Sequence, residues 1–102
     1  MPQKALEECC LALAKALPPT MEVAADRLQR AETDAAAQLA LTTVERLLKV
    51  AKTAAESMEK ADPEGSTVTL HQMREVTRVM TEHVHRIADR SPYAAQIRAV
   101  LS

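Results

Sequence analysis

The chain has 102 residues, a formal net charge of −1 and a single glycine. This length suits one domain, and so little glycine excludes collagen-like chains. Because acidic and basic residues nearly balance, no overall charge draws the protein to nucleic acid or to an anionic membrane. We expect one small all-helical domain over residues 1–102.

Large side chains are scarce, since Tyr93 is the one aromatic residue of the sequence. Aromatic rings normally supply much of the buried area of a small core. A core of alanine, leucine, valine and methionine leaves a monomer of this length near the lower limit of stability. We therefore expect the chain to form a homodimer.

The N-terminus and the cysteines indicate the compartment. Glu7, Glu8 and Lys15 interrupt the first apolar run, which is not typical of a secretory signal, and no stretch approaches the ~20 apolar residues of a membrane span. Cys9 and Cys10 are neighbours on a helix, where their side chains point in different directions and do not readily form a disulfide. We expect free, buried thiols in a cytoplasmic protein without membrane contact.

Apolar residues spaced by three and four predict a first helix over residues 3–17. Pro18 and Pro19 are expected to end it, because proline lacks the amide hydrogen and clashes with the preceding turn. Leu11 lies on the opposite, charged face, where a monomer ordinarily places a polar residue, so it is a candidate contact with a partner. The predicted apolar face consists of Leu6, Cys9, Cys10, Leu13, Ala16 and Leu17.

Residues 20–61 contain neither glycine nor proline, which predicts one long helix with Thr20 as its N-cap. At about 1.5 Å per residue this helix would span roughly 60 Å, too long for a compact domain of this size. The helix must therefore kink or meet a partner. Residues 35–41 are apolar nearly all round, which suits a helix surrounded by neighbours or a shift of register.

A turn is predicted at residues 61–65, where Asp, Pro and Gly stand in the order that successive turn positions prefer. A third helix, over residues 70–89, follows this turn. Thr69 and Gln72 have the spacing of a capping box at its start, and Val68 just before them supplies a hydrophobic staple.

The third helix carries an apolar seam with the 3-4 spacing that is typical of a coiled coil. Val79 flanks this seam and is a further candidate contact. Ser91 and Pro92 are typical of a helix start and predict a short last helix over residues 92–101. The seam consists of Leu70, Met73, Thr77, Met80, Val84 and Ile87.

The helix lengths predict the architecture. The first helix can cover the N-terminal half of the long helix and the third helix its C-terminal half, which leaves most of the structure two helices thick. Such a layer exposes a long apolar edge. We therefore predict an all-α, antiparallel helical bundle built around one long central helix and completed by homodimerisation.

Glu82 and His85 have the E-x-x-H spacing with which some helical bundles bind a di-iron centre. The seam places both residues on the outer, charged face of the third helix, where ion pairs one turn apart are expected instead. We therefore predict no metal, no cofactor and no catalytic site, and keep a metal-binding bundle as the second alternative. The expected pairs are His71 with Glu75, Arg78 with Glu82, and His85 with Asp89.

The first alternative is a DNA-associated regulator, in which the third and fourth helices form a helix-turn-helix. Phosphate binding usually leaves a more basic footprint than this near-neutral chain has, so nucleic acid is not the expected partner. The arginines that would face phosphate are Arg78, Arg86, Arg90 and Arg98.

We conclude that the sequence favours a small non-enzymatic protein-interaction or regulatory module, such as an adaptor, a chaperone-like binder or a sequestering protein. It would recognise a protein partner through apolar residues outside the intramolecular seam. The candidate interface residues are Leu11, Leu39, Leu41, Leu48 and Val79.

Overall fold

The structure, a computed structural model, describes residues 3–101. The predicted domain, 1–102, also includes Met1, Pro2 and Ser102, which lie outside the described residues. Within the described part the chain is all-helical, as predicted, and no strand is formed. It contains four helices: α1 (Gln3–Gln29), α2 (Asp34–Ala61), α3 (Val68–Ala88) and α4 (Ala94–Leu101).

The first chain reversal lies at residues 30–33, which corrects the predicted helices 3–17 and 20–61. α1 continues through Pro18 and Pro19, and these two prolines lie inside the helix. Each proline removes one backbone hydrogen bond to the residue four positions earlier. The helix nevertheless persists, because Leu17 and Met21 on either side of the prolines are both buried in the core. Tertiary packing here outweighs the local preference of proline.

The N-cap of the second helix is a different threonine from the one that the sequence predicted. Thr20, the predicted N-cap, lies within α1, and its hydroxyl donates a hydrogen bond to the carbonyl of Ala16 at 2.7 Å. Thr33 is the N-cap of α2, and its side chain accepts a hydrogen bond from the backbone N–H of Ala36 at 3.1 Å. Asp34 follows in the first turn, where the helix dipole favours a negative charge.

The three long helices form a closed bundle within one chain. α1, α2 and α3 each pack against the other two, and α4 packs on α2 and α3. The bundle measures 45 × 19 × 16 Å. Because α1 and α3 also pack against each other, the bundle is more than two helices thick, and the apolar edge that motivated the prediction of a homodimer is covered within one chain.

The predicted seam of α3 is confirmed as part of the core. Five of its six residues are buried, and Thr77 is half-buried and donates its hydroxyl to the carbonyl of Met73 at 2.8 Å. These side chains meet buried residues of α1 and α2 in one apolar cluster. The largest fully buried side chains are Met21, Leu28, Met58, Leu70, Met73, Met80 and Ile97.

The predicted turn after α2 is confirmed. The backbone N–H of Gly65 donates to the carbonyl of Asp62 at 3.0 Å, and Gly65 adopts a φ of +68°, which glycine tolerates without strain. The cap of α3, however, is Thr67 rather than Thr69. Val68 is 71% exposed, so the predicted staple is not formed.

Asp62 explains why α3 begins two residues earlier than predicted. Its carboxylate accepts hydrogen bonds from the backbone N–H and from the hydroxyl of Thr67, both at 2.8 Å. The Thr67 hydroxyl oxygen in turn accepts the backbone N–H of Leu70 at 3.3 Å. A capping box would use the side chain of the third helical residue for the first of these bonds. Here an aspartate from the preceding turn provides it.

The last two helices otherwise lie within two residues of their predicted bounds, a difference that is usual for helix ends. α3 ends at Ala88 instead of residue 89, and α4 begins at Ala94 instead of residue 92. Ser91 takes part in the turn before α4, where its hydroxyl oxygen accepts the backbone N–H of Tyr93 at 3.0 Å. None of the helices within residues 3–101 is long and apolar enough to cross a membrane.

Candidate functional site

Two of the five predicted interface residues lie in the core. Leu41 is 4% exposed and Leu48 is 3% exposed. The prediction placed them outside the seam because it assumed that α2 continued a longer helix with one covered face. In the structure α2 packs against both α1 and α3. Both leucines are therefore needed for packing and are not available to a partner.

The other three predicted residues are exposed, but they lie on two different faces. Leu39 is 72% exposed and lies between α1 and α2. Leu11 and Val79 are 45% and 40% exposed and lie between α1 and α3. The structure therefore brings Leu11 and Val79 to one face of the bundle and separates them from Leu39.

The surface between α1 and α2 contains two neighbouring recesses, which together we call the α1/α2 groove. One, of about 720 Å³, lies towards the turn that joins the helices, and the other, of about 540 Å³, lies towards the start of α1. The first is lined by Thr20, Val23, Asp26, Arg27 and Arg30 of α1, by Glu32 of the turn, and by Ala36, Leu39 and Thr43 of α2, among others. The second is lined by Cys9 and Leu13 of α1 and by Arg46, Lys49, Val50 and Thr53 of α2.

The two recesses open on the same side of the bundle. The lining residues of α1 at positions 9, 13, 20, 23 and 27 are separated by three, four or seven residues, which places them on one helix face. Those of α2 at positions 36, 39, 43, 46, 50 and 53 follow the same rule. The lining residues of both recesses thus follow one strip along each helix.

Large apolar side chains are exposed along this strip. Val23, Leu39 and Val50 belong to the α1/α2 groove, and each is more than two-fifths exposed. Sequence reasoning identified Leu39 and missed the two valines, each of which lies outside the buried stripe of its helix. Contiguous exposed apolar side chains with a polar rim mark interaction surfaces in soluble proteins.

The two cysteines differ, which corrects the prediction that both are buried. Cys9 is exposed at the edge of the α1/α2 groove, and Cys10 is buried. The Cys10 thiol lies 3.9 Å from the carbonyl of Ala54, to which it donates a weak hydrogen bond. Burial, and to a smaller extent the neighbouring Cys9, raise the pKa of the Cys10 thiol. Cys9 is therefore the accessible thiol of the pair.

Charge is distributed unevenly along the α1/α2 groove. Arg46 and Lys49 border the recess that contains Cys9, and no acidic residue of the described chain lines that recess. Neither cation forms an ion pair within residues 3–101. At the other end of the groove, Arg30 is paired with Asp26 at 3.1 Å. The groove is therefore most cationic beside Cys9.

The surface between α1 and α3 forms a second groove, which we call the α1/α3 groove. A recess of about 710 Å³ surrounds Leu11 and Val76, and a smaller one of about 130 Å³ includes Val79. Its rim carries charges of both signs, with Lys15 and Glu75 bordering the larger recess. Charges of both signs also line the larger recess of the α1/α2 groove, so the rims of the two grooves are similar in this respect.

The outer face of α3 is a network of ion pairs. Arg78 binds the carboxylates of both Glu75 and Glu82, the latter at 2.7 Å, as predicted for that pair. The Arg78 hydrogen bonds lower the pKa of the Glu75 carboxyl. Glu75 is thus bound by Arg78 instead of His71, and Asp89 is bound by Arg98 at 3.0 Å instead of His85.

These pairs bear on both alternative functions. Glu82, the proposed metal ligand, already accepts a hydrogen bond from Arg78, and His85 is exposed on the same surface. Residues 3–101 contain no cluster of three or more His, Cys, Asp and Glu side chains that could hold a metal ion. Two of the four arginines proposed to face DNA, Arg78 and Arg98, are paired with carboxylates.

Comparison with known proteins found no relative of this chain. The chain matches no protein-family model, no curated protein and no solved structure. We take the α1/α2 groove as the candidate functional site, because both of its helices expose large apolar side chains in it and because Arg46 and Lys49 give one of its recesses a positive charge.

Proposed function

We propose that this chain is a non-enzymatic protein-interaction module that binds an apolar segment of another protein in the α1/α2 groove. The observation that supports this proposal is the alignment of Val23, Leu39 and Val50 as exposed side chains along one open strip. A partner that covers them removes apolar surface from water, which is the main driving force of protein association.

The other sides of the bundle fit this role less well. α4 packs on α2 and α3 and so occupies part of the side that these two helices share. The α1/α3 groove has Leu11 and Val79 but places Lys15 and Glu75 on its rim. The α1/α2 groove is preferred because three large apolar side chains are exposed along it and because one of its recesses is lined by cations and by no carboxylate of the described residues.

We also propose that the module works in a reducing compartment such as the cytoplasm. Cys9 is an exposed free thiol, and such thiols persist where cellular reductants keep them reduced. A homodimer remains a prediction. Light scattering across a dilution series decides it, since a dimer has twice the 11.2 kDa mass of the chain at every concentration above its dissociation constant.

The proposed function is tested by photo-crosslinking from within the groove. A photoreactive phenylalanine analogue replaces Leu39 in one variant and Glu82, on the outer face of α3, in a matched control. In cells of the source organism, a partner that binds the groove is crosslinked from position 39 and not from position 82. The crosslinked protein, once purified, must bind the wild-type chain and lose that binding with Leu39→Glu.

Two further results complete this test. Circular dichroism of Leu39→Glu should match that of the wild type, because Leu39 is 72% exposed and its replacement disturbs no core contact. Val79→Glu, which places the same charge on the α1/α3 groove, should leave binding unchanged. Binding that survives Leu39→Glu, or that is abolished by Val79→Glu, contradicts the assignment of the groove.

A further inference from the structure

We propose that the occupant of the α1/α2 groove is an amphipathic helix of a partner protein that carries acidic residues along the edge facing Arg46 and Lys49. This inference rests on the proposed function and names the chemistry of the partner. It follows from the length of the groove, from the spacing of its apolar side chains and from its charge.

The shape of the groove fits a helix. Its lining on α1 extends from Cys9 to Arg30, which corresponds to roughly 30 Å along the helix axis. A helical segment of about 20 residues has the same length. Such a segment, laid between α1 and α2, would convert the three-helix bundle into a four-helix bundle, the arrangement in which helices of this length bury an apolar stripe most completely.

The apolar positions match a helix stripe. On α2, Leu39, Thr43 and Val50 lie on one face, and Val23 of α1 lines the same recess as Leu39 and Thr43. An apolar partner side chain at every third or fourth position would meet this surface at each turn. An extended peptide would place its apolar residues on the groove only if they alternated with polar ones, whereas a helix does so with the three-and-four spacing that the lining itself has.

The positive charge of the groove favours a partner helix with an acidic edge. Arg46 and Lys49 are exposed beside the apolar lining of the recess that contains Cys9, and no carboxylate of the described residues lines that recess. They are cationic although the whole chain has a net charge of −1. Glutamate or aspartate on the partner would pair with them at the rim, where complementary charge raises the association rate and excludes cationic competitors.

A second copy of this chain fits the groove less well than an acidic helix. A symmetric dimer places the same surface patch on both sides of its interface. Two copies joined through the α1/α2 groove would bring its cationic edge either towards the same edge of the other copy, where like charges oppose association, or towards the other recess, whose lining has as many cations as carboxylates. Neither arrangement supplies the net negative charge of an acidic helix. The experiment must therefore distinguish a second copy of the chain from an acidic partner helix.

The experiment uses two synthetic helical peptides of roughly 20 residues, the length that matches the groove. Both carry the same leucine stripe, and they differ at the positions flanking it, which are glutamate in one peptide and lysine in the other. Binding of each labelled peptide to the full chain is measured by fluorescence anisotropy at low and at high salt. Alkylation of Cys9, with and without peptide, reports whether the groove itself is occupied.

The acidic peptide should bind at least about tenfold more tightly than the basic one, and salt should reduce that difference because it screens the rim charges. It should also slow the alkylation of Cys9. The double variant Arg46→Glu, Lys49→Glu should reverse the preference between the peptides. Val79→Glu, on the α1/α3 groove, should change neither affinity.

The remaining outcomes overturn the inference in distinguishable ways. Equal affinity for both peptides, with Cys9 protected and binding lost in Leu39→Glu, rejects the acidic edge and leaves the groove as a binding site. If neither peptide binds while the chain is a dimer with protected Cys9, the occupant is a second copy. If neither peptide binds and Cys9 stays reactive in a monomer, the helical occupant is rejected, and photo-crosslinking from position 39 judges the proposed function separately.

Discussion

Asp62 and Thr67 are joined by two hydrogen bonds, from the backbone N–H and from the hydroxyl of Thr67 to the same carboxylate oxygen, each 2.8 Å long. Asp62 also ends α2, where its own N–H donates to the carbonyl of Met58 at 2.8 Å. One aspartate thus holds the end of α2 and the cap of α3 in a fixed relation, which sets the position of α3 in the bundle.

This pair makes stability depend on pH in a defined direction. The hydrogen bonds from Thr67, that of its backbone N–H first, lower the pKa of the folded Asp62 carboxyl below the unfolded value of about 3.9. As pH falls, the unfolded chain takes up the proton first, so the contribution is complete above about pH 4 and is lost as pH falls through the lowered folded pKa.

Urea unfolding of the wild type and of Asp62→Asn, from neutral pH down to about pH 2, measures this contribution. The other carboxylates titrate in both proteins, so the difference between the two unfolding free energies isolates Asp62. That difference should be largest at neutral pH and should shrink below about pH 4. A difference that stays constant over the range would show that the carboxylate charge does not stabilise the cap.

Replacing two threonines by alanine tests the boundary between α1 and α2. Thr33→Ala removes the N-cap of α2 and should lower the free energy of unfolding by ~1 kcal/mol. Thr20→Ala lies on the exposed face of α1, where alanine is the better helix former, and should raise it by about 0.5 kcal/mol. Chemical denaturation measures both, and the reverse pattern would restore the boundary at the prolines.

Pro19→Ala tests whether α1 is continuous. Pro19 is exposed and lies inside the helix, so alanine restores a backbone hydrogen bond without loss of packing. We expect stabilisation of about 1–3 kcal/mol by thermal or chemical unfolding. Pro63→Ala is the matched control, because Pro63 lies in the turn, where losing the fixed φ should destabilise by ~0.5 kcal/mol. Destabilisation by both changes would contradict a continuous α1.

Two leucines of α2 distinguish core from surface. Leu48→Ala should reduce the free energy of unfolding by about 2–5 kcal/mol, because Leu48 is 3% exposed and its truncation leaves a cavity. Leu39→Ala should change it by no more than ~0.5 kcal/mol. If both changes lower the free energy of unfolding equally in urea denaturation, the burial of Leu48 and the exposure of Leu39 are contradicted.

The cysteines provide a measurement of local exposure. Cys9 is exposed and should react with a thiol reagent at once in the native protein. Cys10 is buried and its thiol pKa is raised, so its labelling should wait for opening or unfolding of α1. Mass spectrometry of the labelled peptides, followed over time, separates the two rates, and comparable rates would contradict the burial of Cys10.

Much of the fold follows from the amino-acid sequence. The absence of strand-forming patterns, the seam of α3 and the turn at residues 62–65 are local properties, because each depends on residue spacing or on the preferences of neighbouring residues. The exposed position of Leu11 was likewise predictable, since it interrupts the polar face of its helix, and Leu39 and Val79 are exposed as expected of residues outside the seam. The Arg78–Glu82 pair followed from its spacing of one turn.

The positions that sequence reasoning missed depend on contacts between distant residues. Burial of Leu17 and Met21 keeps α1 continuous through two prolines, a result that no local rule predicts. Asp62 moves the cap of α3 from Thr69 to Thr67, because a side chain outside the helix satisfies the first N–H. Rules based on local sequence consider the interactions within one segment and do not include those that other segments of the chain supply.

By itself, the sequence determined that this protein is helical and where most of its apolar faces lie. The tertiary structure decided that three helices close a bundle within one chain, which buries Leu41 and Leu48 and leaves the α1/α2 groove open. The physical reason is that the apolar stripe of a helix specifies which of its residues must be buried but does not specify which other helix covers them. That choice is made by the turn at residues 30–33, which folds α2 back onto α1.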